Sequence, residues 1–212
     1  MGIAFFTCSV CGSTYSSNEV QYTCPRDGAN LDVHCDFETT ETKPSIESIL
    51  RSSEQSIWRY APLLPVPDPG FAHTPLHQVG MTPVYQPENL RQQLGLQQLW
   101  IKDESRNPSA SFKDRASAVV VARALQTKEE VIIAASTGNA GAATACMAAS
   151  VGMHAIILAP RTAPPAKIAQ LLAFGAQVIL VDGNYDQAFD LSITASQTFG
   201  WYNRNTGYNP FT

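Results

Sequence analysis

From residue 131 onward, short apolar runs alternate with stretches of helical spacing. VIIAA (131–135), HAIILA (154–159) and QVILVD (177–182) are rich in β-branched side chains. Each precedes a segment that suits a helix: NAGAATACMAASV, PPAKIAQLLAFG and YDQAFDLSITASQTFG. WYNRN (201–205) offers a fourth short strand. Strands that alternate with helices pair in parallel through right-handed crossovers, which lay the helices against the sheet. The pattern predicts an α/β fold, a parallel sheet covered on both faces. Just upstream, SFKDRASAVVVARALQ (111–126) predicts another helix, with Ser111 as N-cap and Asp114 three residues on. That spacing resembles a capping box and suits the positive helix end.

Before residue 111 the pattern is less regular. The stretch from Pro62 to Pro87 is too rich in proline for continuous helix. TPLHQV (74–79) and LWIKDE (99–104) read as short strands on either side of a turn or helix at PENLRQQLG. Residues 38–60 begin polar, in ETTETKPSIES, then gain Ile46, Ile49, Leu50, Ile57 and Trp58, which suits a linker leading into a short helix or docking segment.

Composition narrows the partners. Of 212 residues, 44% are hydrophobic and 15% charged, and 14 basic against 18 acidic side chains leave a net charge of −4. No basic stripe invites nucleic acid, so an anionic small molecule must be held by local groups. No run approaches the roughly 20 apolar residues a membrane span needs. MGIAFFTCSVCG lacks the basic start and long apolar core of a secretory signal, and Phe6 stands where a myristoylation motif wants Ser or Thr. These features predict a soluble, cytoplasmic protein with no membrane or nucleic-acid partner.

Four of the five cysteines crowd into the first 35 residues, which in a cytosolic chain points to metal sooner than to disulfides. CSVCG (8–12) is a metal-knuckle pattern, and CPRDG (24–28) repeats its shape with Asp27 in place of a second cysteine. Cys8, Cys11 and Cys24 supply three ligands of a tetrahedral zinc site; Asp27, or by another path Cys35 or His34, supplies the fourth. A ribbon without zinc, resting on Phe5, Tyr15, Tyr22 and Leu31, is the alternative. His73, His77 and His154 show no metal-ligand spacing and read as structural.

Two segments carry candidate chemistry. STGNAG (136–141) joins a strand to a helix, where backbone amides form an anion site and Gly138 and Gly141 permit close approach. It lacks the first glycine of a dinucleotide fingerprint, and the next strand ends at Ala159-Pro160 without the acid that fingerprint requires. The second segment is NPSASFKDR (107–115). Its lysine, Lys113, sits in the first turn of a helix beside Arg115, where the helix dipole and burial both disfavour the cation. A neutral lysine amine is what a Schiff-base catalyst needs. A surface lysine paired with Asp114 or Glu104 is the plainer alternative.

KDESRNPSASFKDR, followed about 20 residues later by ASTGNAG, resembles the pyridoxal-phosphate enzymes of the tryptophan-synthase-β fold type, and among them is most similar to the threonine synthases. SIWRYAPLLPV (56–66), HTPLHQV (73–79), APPAKIAQLLAFGAQVILVDGNYDQAFDL (163–191) and the cysteine ribbon extend the resemblance over nearly the whole chain. It implies fold type II, with a zinc-ribbon-like segment at 1–37, the first part of the large domain at 38–125, a small α/β domain at 126–206, and the start of a return to the large domain at 207–212. It implies that Lys113 carries pyridoxal 5'-phosphate and later shuttles protons, and that Asn139 bonds the phenolic oxygen of the cofactor ring. Ser136, Thr137, Gly138 and Ala140 would hold the substrate carboxylate, and Asn205 and Thr206 its phosphate. The implied reaction converts O-phospho-L-homoserine and water to L-threonine and phosphate, in a protein that is a homodimer when full length.

Ser109-Ala110 and Ala116 depart from the family's usual Thr-Gly and Gly, as small-for-small exchanges. No second glycine-rich loop for the cofactor phosphate follows Gly207, so the chain is expected to be a fragment that alone binds the cofactor poorly and forms no threonine. Competing expectations are a serine or threonine dehydratase, a β-replacement synthase, and a non-catalytic zinc-ribbon interaction protein.

Overall fold

A computed structural model describes residues 3–37 and 44–212, so the polar start of the expected linker, 38–43, lies outside the described residues. The chain begins as a small antiparallel ribbon of β1 (Ile3–Cys8), β2 (Thr14–Tyr15) and β3 (Leu31–Cys35), with β1 in the centre. α1 (Ile46–Arg51) follows, capped by Ser45 and Ser48 in a reciprocal box. Its apolar residues Ile46 and Leu50 stay exposed, and only the third, Ile49, is half-buried. Ile57–Leu63 is a 3₁₀ segment that buries Ile57 and Trp58, and the indole N–H donates to the Leu76 carbonyl at 3.0 Å.

TPLHQV is not a strand. Pro75 opens a 3₁₀ turn over Pro75–Gln78, because its fixed φ and missing N–H suit a helix start and deny a ladder bond. LWIKDE supplies only β5 (Ile101–Lys102), which pairs antiparallel with β4 (Val84–Tyr85) across α2 (Glu88–Gln93).

The centre of the molecule is built as its apolar alternation requires. α3 (Lys113–Gln126) leads into β6 (Val131–Ala135), then α4 (Asn139–Ala149), β7 (His154–Pro160), α5 (Pro165–Ala173), β8 (Gln177–Val181), α6 (Tyr185–Phe199) and β9 (Tyr202–Asn203). The four strands lie parallel in the order β8-β7-β6-β9. Successive side chains on β6 face opposite layers. Ile132 and Ala134 pack toward α3, α4 and Leu171 of α5, while Ile133 and Ala135 join Ile156, Leu158 and Ala188 of α6. This is the three-layer arrangement expected, with one thin margin: Ile179 and Leu180 of the edge strand β8 remain half exposed.

The ribbon docks against the far edge of the sheet. Phe6 meets Phe211 edge-on at 6.1 Å, Tyr22 stacks on Tyr208 at 4.7 Å, and the Tyr22 hydroxyl accepts from the Asn203 amide at 2.9 Å. Edge strand β9 thus has a backbone donor satisfied from outside the sheet. His77, whose sequence spacing suggested no partner, lies between Asp68 (Nε2 to Oδ1, 2.9 Å) and Glu54 (Nδ1 to Oε2, 3.6 Å).

Candidate active site at the C-terminal edge of the sheet

The loop that delivers Lys113 is held by one carboxylate. Glu104 accepts from Arg115 Nε and Nη2, Thr82 Oγ1 and Asn107 Nδ2, each at 2.8 Å. Asn107 Oδ1 in turn accepts from the Gly80 amide at 2.9 Å. Gly80 has φ +90°, and a Cβ there would stand 3.0 Å from the Ile57 nitrogen, so only glycine fits. Arg115, with Thr82 and Asn107 adding, holds the Glu104 carboxyl at about 2 against the opposing effect of burial.

The helix start differs from the expected capping box. Ser111 Oγ accepts from the Lys113 amide at 3.1 Å, two residues on rather than three. Asp114 turns back instead to Ser109, accepting from its amide at 2.7 Å and from its hydroxyl. Burial pushes the Asp114 carboxyl above its usual range, and the Ser109 hydrogen bonds oppose that rise. Ala110, between them, adopts φ +60°, a left-handed conformation that favours glycine. Lys113 itself is part-exposed, with Nζ 4.6 Å from the centre of the Phe112 ring.

The Ser136–Ala140 loop follows β6. Ser136 is buried, and its Oγ accepts from the amides of Gly138 (3.2 Å) and Gly141 (2.8 Å). Gly141 must be glycine for a packing reason, since a Cβ would lie 3.0 Å from Ser136 Cβ and 3.2 Å from Leu171 Cδ2. The amides of Asn139 and Ala140 open α4 and have no acceptor among the described residues. Asn139 is exposed, and its Oδ1 accepts from Lys167 Nζ of α5 at 2.9 Å.

The third contribution comes from the chain after β9. Arg204 continues the ladder, its amide donating to the Ile133 carbonyl at 2.9 Å. Its side chain is only 2% exposed, has no carboxylate partner among the described residues, and leaves Nε without an acceptor. Burial pushes the guanidinium down to about 10. Nη2 reaches Ser117 Oγ at 3.5 Å, and Nη1 donates to Thr206 Oγ1 at 2.8 Å. Asn205 is spent internally: Oδ1 accepts from the Ala135 amide at 2.8 Å and Nδ2 donates to Ser192 Oγ at 2.6 Å. It positions the loop, whereas Thr206 is exposed.

These contacts set three segments at one edge. Ser117 is one helical turn beyond Lys113, so the Arg204 contact draws the first turns of α3 to the end of β9. Asn205 ties that same end to Ala135, one residue before the Ser136 loop. Ligands of open α/β sheets bind outside the carboxyl ends of the strands, where this edge lies. Lys113 and Asn139 do not touch; their side chains rest on Phe112 and Lys167. An open apolar groove lined by Pro75, Pro108, Cys146, Ala149 and Phe174 lies toward the other end of α4. Sequence reading missed Lys167 and Arg204. The first could have been sought as a cation in the first turn of the helix after β7, but nothing in the sequence marks Arg204 as buried.

Residues 76–212 match the family described as pyridoxal-phosphate dependent enzyme. The chain belongs to this family. Among curated members it is 40% identical to the threonine synthase of Methanocaldococcus jannaschii over 185 residues, covering 87% of this chain and 45% of that protein. The threonine synthase of Methanosarcina acetivorans is 38% identical over 186 residues, covering 87% and 44%. The chain therefore spans less than half the length of these relatives. Among solved structures, apo diaminopropionate ammonia lyase of Escherichia coli gives a TM-score of 0.55 at 25% identity, over 57% of this chain and 39% of that one. Cysteine synthase from Entamoeba histolytica gives 0.58 at 24% identity, over 62% and 42%. The fold is type II of the pyridoxal-phosphate enzymes. The edge fits that cofactor on its own terms, since it offers a part-exposed primary amine, unpaired amides for an anion, and an amide side chain within the loop.

Proposed function

We propose that the protein is a threonine synthase, converting O-phospho-L-homoserine and water to L-threonine and phosphate. The observation that carries this reading is the buried Arg204, without an acid partner among the described residues, with its donated bond to Thr206. Because Thr206 Oγ1 accepts from the guanidinium, its own proton is free to donate to an anion at the exposed rim, and the cation behind it strengthens that bond. A phosphorylated substrate suits this rim better than an unphosphorylated one.

Pyridoxal phosphate, when bound, supplies the electron sink that makes hydrogens near the substrate amino group acidic. The chain's own residues do the rest. Lys113 would hold the cofactor through Nζ, and its amine would take and return protons at neighbouring substrate carbons. The free amides of Asn139 and Ala140, with Thr137, would receive the substrate carboxylate, while Ser136 Oγ holds the loop through the Gly138 and Gly141 amides. The Asn139 side chain, held by Lys167 at 2.9 Å, would be the residue to hydrogen-bond the cofactor ring. Asn205 keeps the Thr206 loop in register with Ala135.

The test is product analysis with the complete protein, cofactor and O-phospho-L-homoserine, with phosphate and threonine expected in equal amounts. Lys113→Ala should abolish both products, and Thr206→Val should raise KM more than it lowers kcat. Keto-acid formation from serine or threonine, with no phosphate released, would instead establish a dehydratase. The likeness to diaminopropionate ammonia lyase favours that second reading.

A further inference from the structure

We infer that Cys8, Cys11, Cys24 and Asp27 form a zinc site, with the Asp27 carboxylate as fourth ligand, and that the ion braces the ribbon against β9. The four side chains come together from two turns of the same build. CSVCG and CPRDG each end in a glycine with left-handed φ, +69° at Gly12 and +72° at Gly28. Each glycine amide returns to the carbonyl of the first cysteine, Gly12 to Cys8 at 3.1 Å and Gly28 to Cys24 at 2.8 Å. Asp27 therefore occupies in the second turn the place Cys11 holds in the first.

The spacing between donor atoms matches zinc. Tetrahedral bonds of about 2.3 Å to sulfur and about 2.0–2.2 Å to oxygen put S···S near 3.8 Å and S···O near 3.5 Å. Cys11 Sγ and Cys24 Sγ lie 3.7 Å apart, and Cys8 Sγ lies 3.5 Å from each Asp27 oxygen. All four ligand atoms fall within 4.8 Å of one another. The 3.7 Å sulfur separation is far from the roughly 2.05 Å of a disulfide.

The surroundings suit thiolates. The amides of Val10 and Cys11 donate to Cys8 Sγ at 3.4 Å each, and the Tyr15 hydroxyl lies 3.2 Å from Cys24 Sγ. The Ala29 amide donates to Asp27 Oδ1 at 3.0 Å, fixing the carboxylate from behind. Of the other residues weighed for the fourth position, His34 is engaged elsewhere, stacked on Phe5 at 4.5 Å. With four protein ligands the site is closed, which makes it structural rather than catalytic. Its mechanical output runs through Tyr22, between the two knuckles in sequence, to the amide of Asn203.

The experiment is elemental analysis of the protein purified without chelator, followed by exchange of Zn²⁺ for Co²⁺. One zinc per chain, and cobalt absorbance bands of tetrahedral intensity with sulfur charge transfer, are expected. Asp27→Cys should keep the metal and shift the cobalt bands toward those of a four-sulfur site, while Asp27→Ala should weaken retention at least tenfold. Should the cysteine variants fail to fold, thiol titration of the native protein decides: exposed Cys11 should react only after a chelator is added. Substoichiometric zinc, Cys11 reacting at once, or cobalt bands unchanged in Asp27→Cys would overturn the site. None of these readouts depends on the reaction proposed above.

Discussion

Replacing Glu104 with glutamine tests how the lysine loop is held. The carboxylate gathers four donors at 2.8 Å, two of them from one arginine, and its pKa falls from the ordinary 4.5 to about 2. A tenfold change in acidity corresponds to about 1.4 kcal/mol, so this fall sets an upper limit of about 3 kcal/mol. The Glu104 side chain is 25% exposed and that of Arg115 31%, so solvent screening reduces the expected contribution to about 1–2 kcal/mol. A depressed folded-state pKa means the stabilisation is present above the unfolded value and lost as pH falls from about 4.5 toward 2. Urea unfolding followed by fluorescence of the buried Trp58 would measure it at neutral pH and near pH 3. Glu104→Gln should lose about 1–2 kcal/mol at neutral pH, and the gap to the native protein should close on acidification. Other carboxylates titrate in that window, so the difference between the two proteins is the informative quantity. A gap that stays constant with pH would refute the reasoning, because the loss would then be packing and not charge.

Gly141→Ala should destabilise by about 1–3 kcal/mol, since the new Cβ meets Ser136 and Leu171 closer than carbon atoms pack; thermal unfolding checks it. Asn205→Ala leaves the Ala135 amide and Ser192 hydroxyl without their partner and should cost about 2–3 kcal/mol, measured by urea denaturation. Ala110→Gly should raise stability by about 0.5–1 kcal/mol, because relief of the left-handed φ outweighs the added freedom of the unfolded chain. A lower melting temperature for that variant would contradict the φ argument.

The sheet was legible because strands buried on both faces need uninterrupted branched residues, as in β6 and β7, and the half-exposed edge strand β8 carries the same kind of run; the runs mark all three strands to within about a residue. The lysine helix and the glycine loop were legible for a similar local reason, since each needs particular residues at short spacing. TPLHQV misled because Pro75 decides the backbone, and the buried Leu76 and Val79 stand three apart, as a 3₁₀ turn places them, and not two apart as on a strand face. Asp114 misled because a side chain three residues past a serine has two ways to turn, and only the buried Ser109 selects one.

The sequence alone therefore determined the strand and helix order, the position of Lys113 at a helix start, and the twin turns of the ribbon, all set by contacts within a few residues. Tertiary structure decided that Arg204 is buried against Ser117, that Asn205 is spent on Ala135, that Lys167 reaches Asn139, and that Tyr22 closes β9. Those contacts join residues 87, 70, 28 and 181 positions apart. Partners at such separations leave no periodic mark, because they depend on how finished elements stack and not on any local backbone preference.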